Sequence, residues 1–278
     1  MPPQVFSLFL LVEMFYRGVM KDRGTKKKSW LDFHHDWQEH QGEVIEEIIL
    51  TINVNGEEFV SLMGTPLNQD WLAVGFLINE KLINSLDEIE NLHISDDGCC
   101  IDVWLNRQIK KPTKKIITSG CGGGQAFNDP QVGLEALESE IETRPEIILN
   151  AFNSLQTRDS LYARARGIHA AGLLDLVSGE IVKVAEDIGR HNAIDKLHGG
   201  CLLDGIGTED HALLTTGRIS SEMLRKGVIM RCPVIASRTS PTSYALELAA
   251  SWNITLIGYA RHGKLRVYCH PKRLGYKA

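Results

Sequence analysis

The sequence predicts an α/β fold (α+β overall) in which a smaller N-terminal domain precedes a larger layered domain. In the first half, apolar and polar residues alternate on both sides of the tight-turn dipeptide Asn55-Gly56, which is typical of a β-hairpin. In the second half, short apolar strands alternate with helical segments, which favours βαβ units with right-handed crossovers. With 278 residues, the chain is long enough to bury a core in each half.

The N-terminal extension, residues 1–40, is predicted to be poorly packed. Its apolar run Val5–Tyr16 is too short to span a bilayer. The run has no basic residue before it and a lysine-rich cluster after it, which is the opposite polarity to a secretory signal. We therefore expect a cytoplasmic protein that does not enter a membrane.

Residues 41–130 are predicted to form the N-terminal domain. Strands are expected at Glu43–Asn53 and Glu57–Met63, on either side of the hairpin turn. A helix is expected at Asn68–Asn79 and a further strand at Cys99–Leu105. The domain ends in a glycine-rich loop that connects it to the rest of the chain.

Residues 131–278 are predicted to form the layered domain, which begins with a helical region. Its expected strands are Ile168–Leu176, Glu180–Ala185, His211–Thr215, Val234–Ser237 and Ile254–Tyr259. Its expected helices are Arg190–His198, Ser220–Met230 and Pro241–Trp252. Strands and helices that alternate in this order bury a sheet under helical layers.

Charge and cysteine content exclude several classes of protein. The formal net charge of −5 argues against broad nucleic-acid binding, which requires a basic face. The six cysteines include no CxxC pair, so a zinc knuckle or thioredoxin-like motif is not supported and no intrinsic metal is expected. The zinc-deaminase pattern H-x-E is also broken, because Ala171 stands where the glutamate would follow His169.

Cys121 lies in the glycine-rich loop, within the run Gly120–Gly124. Glycines permit positive φ and leave the sulfur without shielding neighbours. A sulfur donor benefits from that exposure, because its thiolate must attack one sulfur and later release it to another acceptor. Lys114 and Lys115 are candidates to stabilise the thiolate. An ordinary glycine turn that contains a cysteine is, on local sequence alone, an equal alternative.

The segment Glu186–Lys196 gathers carboxylates, basic side chains, a histidine and an asparagine at a strand-to-helix junction. Acidic residues complement the dipole at a helix start, so Glu186 and Asp187 fit a simple cap. A helix cap does not require the other polar residues of the segment. Such a concentration of polar side chains is commoner at a functional site than at a plain cap. His191 has three open roles: a base, a cofactor contact or a buried hydrogen-bonding residue.

Three consecutive strands of the layered domain are followed by basic and small residues. The segments are Thr216–Met223 with Arg218 and Ser220, Ser237–Thr242, and Gly258–Lys264. A strand followed by a glycine turn and a serine-capped helix binds anions on free backbone N–H groups, and arginine adds a fork suited to phosphate. Ligands of open α/β sheets bind at the carboxyl ends of strands. Taken singly, each strand end is better explained as a solvated loop with a surface arginine. Their recurrence at equivalent positions favours a nucleotide-phosphate site at this edge, with the base stacked on Tyr259.

Taken together, these motifs resemble the formate dehydrogenase accessory sulfurtransferase family (FdhD) from about Glu43 to Leu274. The residues that carry the resemblance are Gly75-Phe76 with Glu80, Ser119–Gly122, Gly167–Ala171, Glu186–Lys196, Gly217–Ser220 with Glu222-Met223, Ser237, Pro241-Thr242 and Gly258-Tyr259. Long motifs in a fixed order are far more specific than any single glycine loop.

The resemblance implies a sulfur carrier that takes persulfide sulfur from a cysteine desulfurase onto Cys121. It implies that this sulfur passes to the molybdenum (or tungsten) atom of a bis(molybdopterin guanine dinucleotide) cofactor, bound as substrate, before insertion into formate dehydrogenase. A cytidine-deaminase-like layered domain and a homodimer are implied as well. The family's cofactor-binding stretch falls on Tyr259, Ala260, Arg261, His262, Gly263 and Lys264, and Arg218, Ser220 and His191 are added as expected cofactor contacts.

Gly124 is a departure from the family pattern, because many members carry a second cysteine at that position, three residues after the first. All the predicted sulfur chemistry then rests on Cys121, with no disulfide inside the loop. A non-catalytic chaperone that binds the cofactor, with Cys121 incidental, is the alternative. A nucleotide-processing enzyme on the same scaffold is disfavoured by the broken zinc pattern.

Overall fold

The structure, a computed structural model, describes residues 24–111, 134–155 and 160–277, and the backbone at 116–117 and 125–126. The described chain contains a four-stranded sheet, a six-stranded sheet and two two-stranded ribbons, with helices packed on the larger sheets. The mixed α/β class predicted from the sequence is confirmed.

The first ribbon is an antiparallel hairpin of β1 (Thr25–His34) and β2 (Asp36–Ile45). The prediction of a poorly packed extension did not include these strands. They run across the predicted boundary at residue 40, and most of their side chains are exposed. Residues 1–23, with the apolar run Val5–Tyr16, lie outside the described residues.

The four-stranded sheet has the order β4-β3-β6-β5 and is covered by helix α1. Its elements are β3 (Ile48–Val54), β4 (Glu57–Gly64), α1 (Gln69–Asn79), β5 (Ile89–Ile94) and β6 (Cys100–Leu105). The predicted hairpin turn is confirmed: Asn55 and Gly56 both have positive φ, at 52° and 84°, as a type I′ turn requires. Strand β5 is an addition to the predicted elements.

The six-stranded sheet has the order β10-β9-β11-β12-β13-β14. Its strands are β9 (His169–Asp175), β10 (Ile181–Asp187), β11 (His211–Thr215), β12 (Val234–Ser237), β13 (Thr255–Arg261) and β14 (Lys264–Val267). Only β11, β12 and β13 are parallel to one another, and the remaining pairs are antiparallel. The expected βαβ connections therefore occur at the centre of a mixed sheet.

Helices cover both faces of this sheet. The helices of this half are α2 (Pro145–Ser154), α3 (Leu161–Ala165), α4 (Arg190–Leu203), α5 (Ser221–Ile229) and α6 (Ser243–Ser251). The core on one face contains residues of α4, α5 and α6, whereas the core on the other contains Ile148 and Phe152 of α2. Successive strand residues alternate between the two cores, as the pleat requires.

The second ribbon pairs β7 (Ile116–Ile117) with β8 (Gln125–Ala126) in antiparallel register. The sequence between these strands is residues 118–124, which include Cys121 and Gly124. Cys121, Gly124 and the candidate lysines Lys114 and Lys115 lie outside the described residues.

The two larger sheets are joined by a close crossing of α1 and α4. A Cβ atom on Gly75 would lie 1.8 Å from the Asp195 carbonyl oxygen, and one on Gly199 would lie 2.0 Å from the Trp71 carbonyl oxygen. Both obstacles are backbone atoms, which cannot rotate away. Glycine at these two positions therefore lets the helix backbones touch.

Gly199→Ala is expected to lower the free energy of unfolding by about 2 kcal/mol, because overpacking at the crossing outweighs the better helix propensity of alanine. Urea unfolding followed by circular dichroism measures the change. Gly207→Ala is the control, since a Cβ there meets open space and the φ of Gly207 is not positive. Equal stability of the two variants would show that the crossing is not tight.

Candidate functional site

A cleft of about 630 Å³ lies at the carboxyl ends of β11, β12 and β13. From the sheet edge it is lined by Ile168, His169, Thr216, Arg238, Thr239, Ala260, Arg261, His262 and Gly263. Residues of α2, among them Glu146 and Asn150, line it as well. Cations and hydroxyls thus meet at the edge where the sequence predicts an anion site.

The predicted cofactor stretch Tyr259–Lys264 contributes its four central residues, Ala260–Gly263, to this lining. The chain turns sharply there, with φ of 53° at His262 and 70° at Gly263. Tyr259 and Lys264 are outside the lining. The Arg266 guanidinium lies 4.2 Å from the centroid of the Tyr259 ring, so the expected base-stacking platform already has a cationic partner.

Arg218, Ser220 and His191 are also outside the cleft lining. Ser220 caps α5, with its Oγ accepting a hydrogen bond from the Met223 N–H. His191 Nε2 lies 3.5 Å from Ser220 Oγ and 3.4 Å from Glu222 Oε2. Burial holds the pKa of His191 well below its usual range, and Lys226 adds to this effect. The structure thus separates these three predicted contacts from the cleft itself.

His169 is a cleft residue that the sequence placed in a broken zinc motif and in one of the family motifs, but not among the expected cofactor contacts. Its Nδ1 lies 3.4 Å from Thr216 Oγ1. Burial, and then the charge of Arg190, lower the pKa of the imidazole. A neutral imidazole beside a hydroxyl can donate a hydrogen bond to a bound ligand or accept one from it.

Side chains in the Glu186–Lys196 segment hold the two halves of the molecule together. Lys196 Nζ lies 2.6 Å from Asp187 Oδ2, and both side chains are fully buried. Lys196 also donates to the Thr65 carbonyl oxygen at 2.9 Å, and the Thr65 N–H donates to Asp187 at 3.1 Å. Asn192 donates to both the Met63 carbonyl and Asp187. The polar side chains of this segment therefore pair with one another and with backbone groups across the buried interface between the two halves.

A second buried ion pair, Asp195 with Lys226, links α4 to α5 at 2.6 Å. Burial alone would lower the pKa of Lys226, but neighbouring carboxylates, with Asp195 the strongest, raise it above its usual value. Asn79 at the end of α1 donates to Asp195 at 2.6 Å and lies 2.7 Å from His198 Nδ1. Burial lowers the pKa of His198 to about 4, so it is a neutral donor to Asn79 near neutral pH.

Glu186 has a different task, because it holds the start of α3. Its carboxylate accepts hydrogen bonds from the backbone N–H groups of Leu161 at 2.8 Å and Tyr162 at 3.2 Å. Tyr162 lines the cleft. Glu186 therefore positions one wall of the cleft without entering it.

Four of the five described thiols are poor nucleophiles. Burial raises the pKa of Cys201 to about 12 and raises those of Cys232 and Cys269. Burial and the Asp97 carboxylate raise the pKa of Cys99. A raised pKa leaves little thiolate at neutral pH, which disfavours attack on a persulfide by these four sulfurs.

Two further properties concern metals and membranes. Within the part of the chain that the structure describes, no three His, Cys, Asp or Glu side chains come together as metal ligands. No helix within those same residues is long and apolar enough to cross a bilayer.

Comparisons with known proteins agree on one family. The model of the FdhD/NarQ family matches residues 45–275. The sulfur carrier protein FdhD of Staphylococcus haemolyticus is 38% identical over 237 residues, covering 83% of this chain and 89% of the relative. The protein of the same name from Bacillus subtilis is 35% identical over 252 residues, covering 86% and 95%.

A solved structure is also similar. It is described as a formate dehydrogenase accessory protein from Desulfotalea psychrophila. The TM-score is 0.72 at 25% sequence identity, and the match covers 90% of this chain and 99% of that one. The similarity therefore extends over nearly all of both folds.

Proposed function

The chain belongs to the FdhD/NarQ family, and on that premise we propose that it is a sulfur carrier that serves the maturation of formate dehydrogenase. The observation that carries the proposal is the match to relatives named sulfur carrier proteins over 83–86% of the chain. The raised pKa values of four other thiols support Cys121 as the carrier.

In the proposed reaction the Cys121 thiolate attacks the terminal sulfur of a persulfide on a cysteine desulfurase. A new S–S bond forms at Cys121, and the desulfurase cysteine leaves as a thiolate. The carried sulfur then passes to the molybdenum or tungsten atom of a bis(molybdopterin guanine dinucleotide) cofactor, which is the substrate. Delivery as sulfide consumes two electrons, and a thiol reductant supplies them.

The cleft is the proposed site for the guanine dinucleotide part of that substrate. Its cationic side chains, Arg238 and Arg261, can pair with phosphate oxygens, and the Thr216 and Thr239 hydroxyls can donate to them. Arg238 Nη2 also donates to the Phe152 carbonyl oxygen at 2.7 Å, which fixes its position. We further propose that the chain acts as a cytoplasmic homodimer with a cytidine-deaminase-like layering.

Arg261→Ala is expected to weaken GDP binding about tenfold, because it removes a charge-assisted contact to phosphate. Isothermal titration calorimetry measures the affinity. Arg231→Ala is the matched control, since that exposed arginine pairs with Glu209 away from the cleft. Arg218→Ala and Lys264→Ala test two of the five contacts that were expected from the sequence but do not line the cleft. Unchanged affinity of the Arg261→Ala variant for GDP would show that the GDP phosphates do not bind in this cleft.

The second candidate function, a non-catalytic cofactor chaperone, is favoured by the cleft itself. A cleft with two arginines can bind a dinucleotide whether or not Cys121 carries sulfur. The two functions differ in what happens to the thiol. A chaperone gains no sulfur from a desulfurase and keeps its activity without Cys121.

A further inference from the structure

The cleft at the carboxyl ends of β11, β12 and β13 has two walls of different chemistry. The wall at the strand ends is cationic and contains Arg238 and Arg261. The wall formed by α2 contains Glu146, Asn150 and Asn153, and the ten residues of this helix include no lysine or arginine. One side of the cleft therefore attracts anions, whereas the other offers a carboxylate and two amides.

The packing of α2 fixes this polar wall in place. Glu146 and Asn150 are four residues apart, so their side chains lie on one face of the helix, one turn from each other. Ile148 and Phe152 lie on another face and are buried in the core below the sheet. The Phe152 carbonyl oxygen also accepts a hydrogen bond from Arg238 at 2.7 Å, which ties α2 to the cationic wall. The two walls are thus held at a defined separation.

The charges of the two walls orient a nucleotide in the cleft. Its volume of about 630 Å³ lies within the range of clefts that bind small molecules. Phosphate oxygens are attracted by the two arginines and repelled by the Glu146 carboxylate. A nucleotide therefore binds with its phosphates at the strand ends and its base against α2.

The side chains of α2 also distinguish between bases. A carboxylate such as that of Glu146 only accepts hydrogen bonds, and its two oxygens can accept from two adjacent donors. Guanine presents two adjacent donors, N1–H and the 2-amino group, beside its O6 acceptor. Adenine and cytosine each present one amino donor next to an unprotonated ring nitrogen, which a carboxylate repels. The Asn150 amide, one turn along the helix, can donate to O6. This pair of side chains matches guanine.

We propose that α2 selects the base of the bound nucleotide, with Glu146 accepting hydrogen bonds from N1–H and the 2-amino group of guanine and Asn150 donating to O6. The inference rests on the proposed function, because it requires the phosphates to lie at Arg238 and Arg261. It deepens that function by separating affinity from specificity. The arginines bind any nucleoside diphosphate, whereas Glu146 and Asn150 discriminate between bases.

Isothermal titration calorimetry of the full chain with a series of nucleoside diphosphates tests the proposal. The wild type should bind GDP about tenfold or more tightly than the adenosine, cytidine and inosine diphosphates. Inosine diphosphate is the sharpest comparison, because hypoxanthine differs from guanine only in lacking the 2-amino group.

Two variants assign the discrimination to individual side chains. Glu146→Gln should weaken GDP binding about tenfold and strengthen binding of xanthosine diphosphate, because the new amide can donate to the 2-oxo group of xanthine. Asn150→Ala should weaken GDP and inosine diphosphate by the same factor, since both bases carry O6. Glu142→Gln is the matched control: it removes an exposed carboxylate four residues earlier, outside the cleft lining, and should bind like the wild type.

The outcomes separate this inference from the proposed function. A wild type that binds all four diphosphates equally, or a Glu146→Gln variant that keeps the full preference for GDP over xanthosine diphosphate, would overturn base selection by α2 and leave the phosphate site in place. A wild type that binds no GDP would overturn the nucleotide cleft itself, and the inference with it. Circular dichroism of each variant checks that the fold is retained.

Discussion

Asp187→Ala is expected to lower the free energy of unfolding by about 3–5 kcal/mol, because it leaves the buried Lys196 ammonium without its counter-ion. Both side chains are fully buried and 2.6 Å apart. Asp187 also accepts hydrogen bonds from the N–H groups of Thr65 and Gly189, so its removal leaves further donors unpaired. Urea unfolding measures the loss.

Two further variants show whether the buried charge is the cause. In Asp187→Ala combined with Lys196→Met, the uncompensated charge is gone, so part of the stability should return. Glu209→Ala breaks an exposed ion pair with Arg231 and should have little effect. An Asp187→Ala variant as stable as Glu209→Ala would show that the pair does not hold the two sheets together.

Cys121→Ala is expected to reduce formate dehydrogenase activity to the level of cells that lack this protein. Cys121 is the only cysteine in the run Gly120–Gly124, so no neighbouring loop thiol replaces the lost one. The measurement is formate oxidation in cells that contain only the variant, at matched protein levels. Cys269→Ala is the matched control, because burial raises the pKa of that thiol and its loss should leave activity intact. Full activity with Cys121→Ala would favour the chaperone.

The sequence predicted those turns and helix starts that depend on residues adjacent in the chain. Asn55-Gly56 defines the turn of β3–β4, and Asn68 precedes the start of α1, as expected. The hairpin β1–β2 was not predicted, because within the described residues it exposes most of its side chains and so lacks the buried apolar face by which a strand is recognised in a sequence. The mixed sheet was not predicted either, since alternating strands and helices do not reveal that β9, β10 and β14 run antiparallel to their neighbours.

The candidate site was predictable where it follows the strand ends. Ala260–Gly263 line the cleft because parallel strands bring their carboxyl ends to one edge. Glu146 and Tyr162 reach the cleft from segments with no motif of their own. The polar density of Glu186–Lys196 was not explained, because partners such as Thr65 lie more than 100 residues away in sequence and meet it only in the fold.

The central claim, that Cys121 carries sulfur, is tested most directly by intact mass spectrometry after incubation with a cysteine desulfurase and cysteine. We expect the wild type to gain the mass of one sulfur atom and to lose it on treatment with a thiol reductant. The Cys121→Ala variant should gain no mass. Cys99→Ala should load like the wild type, since burial and Asp97 raise the pKa of that thiol. A wild type that gains no sulfur, or a Cys121→Ala variant that gains as much as the wild type, would contradict the account.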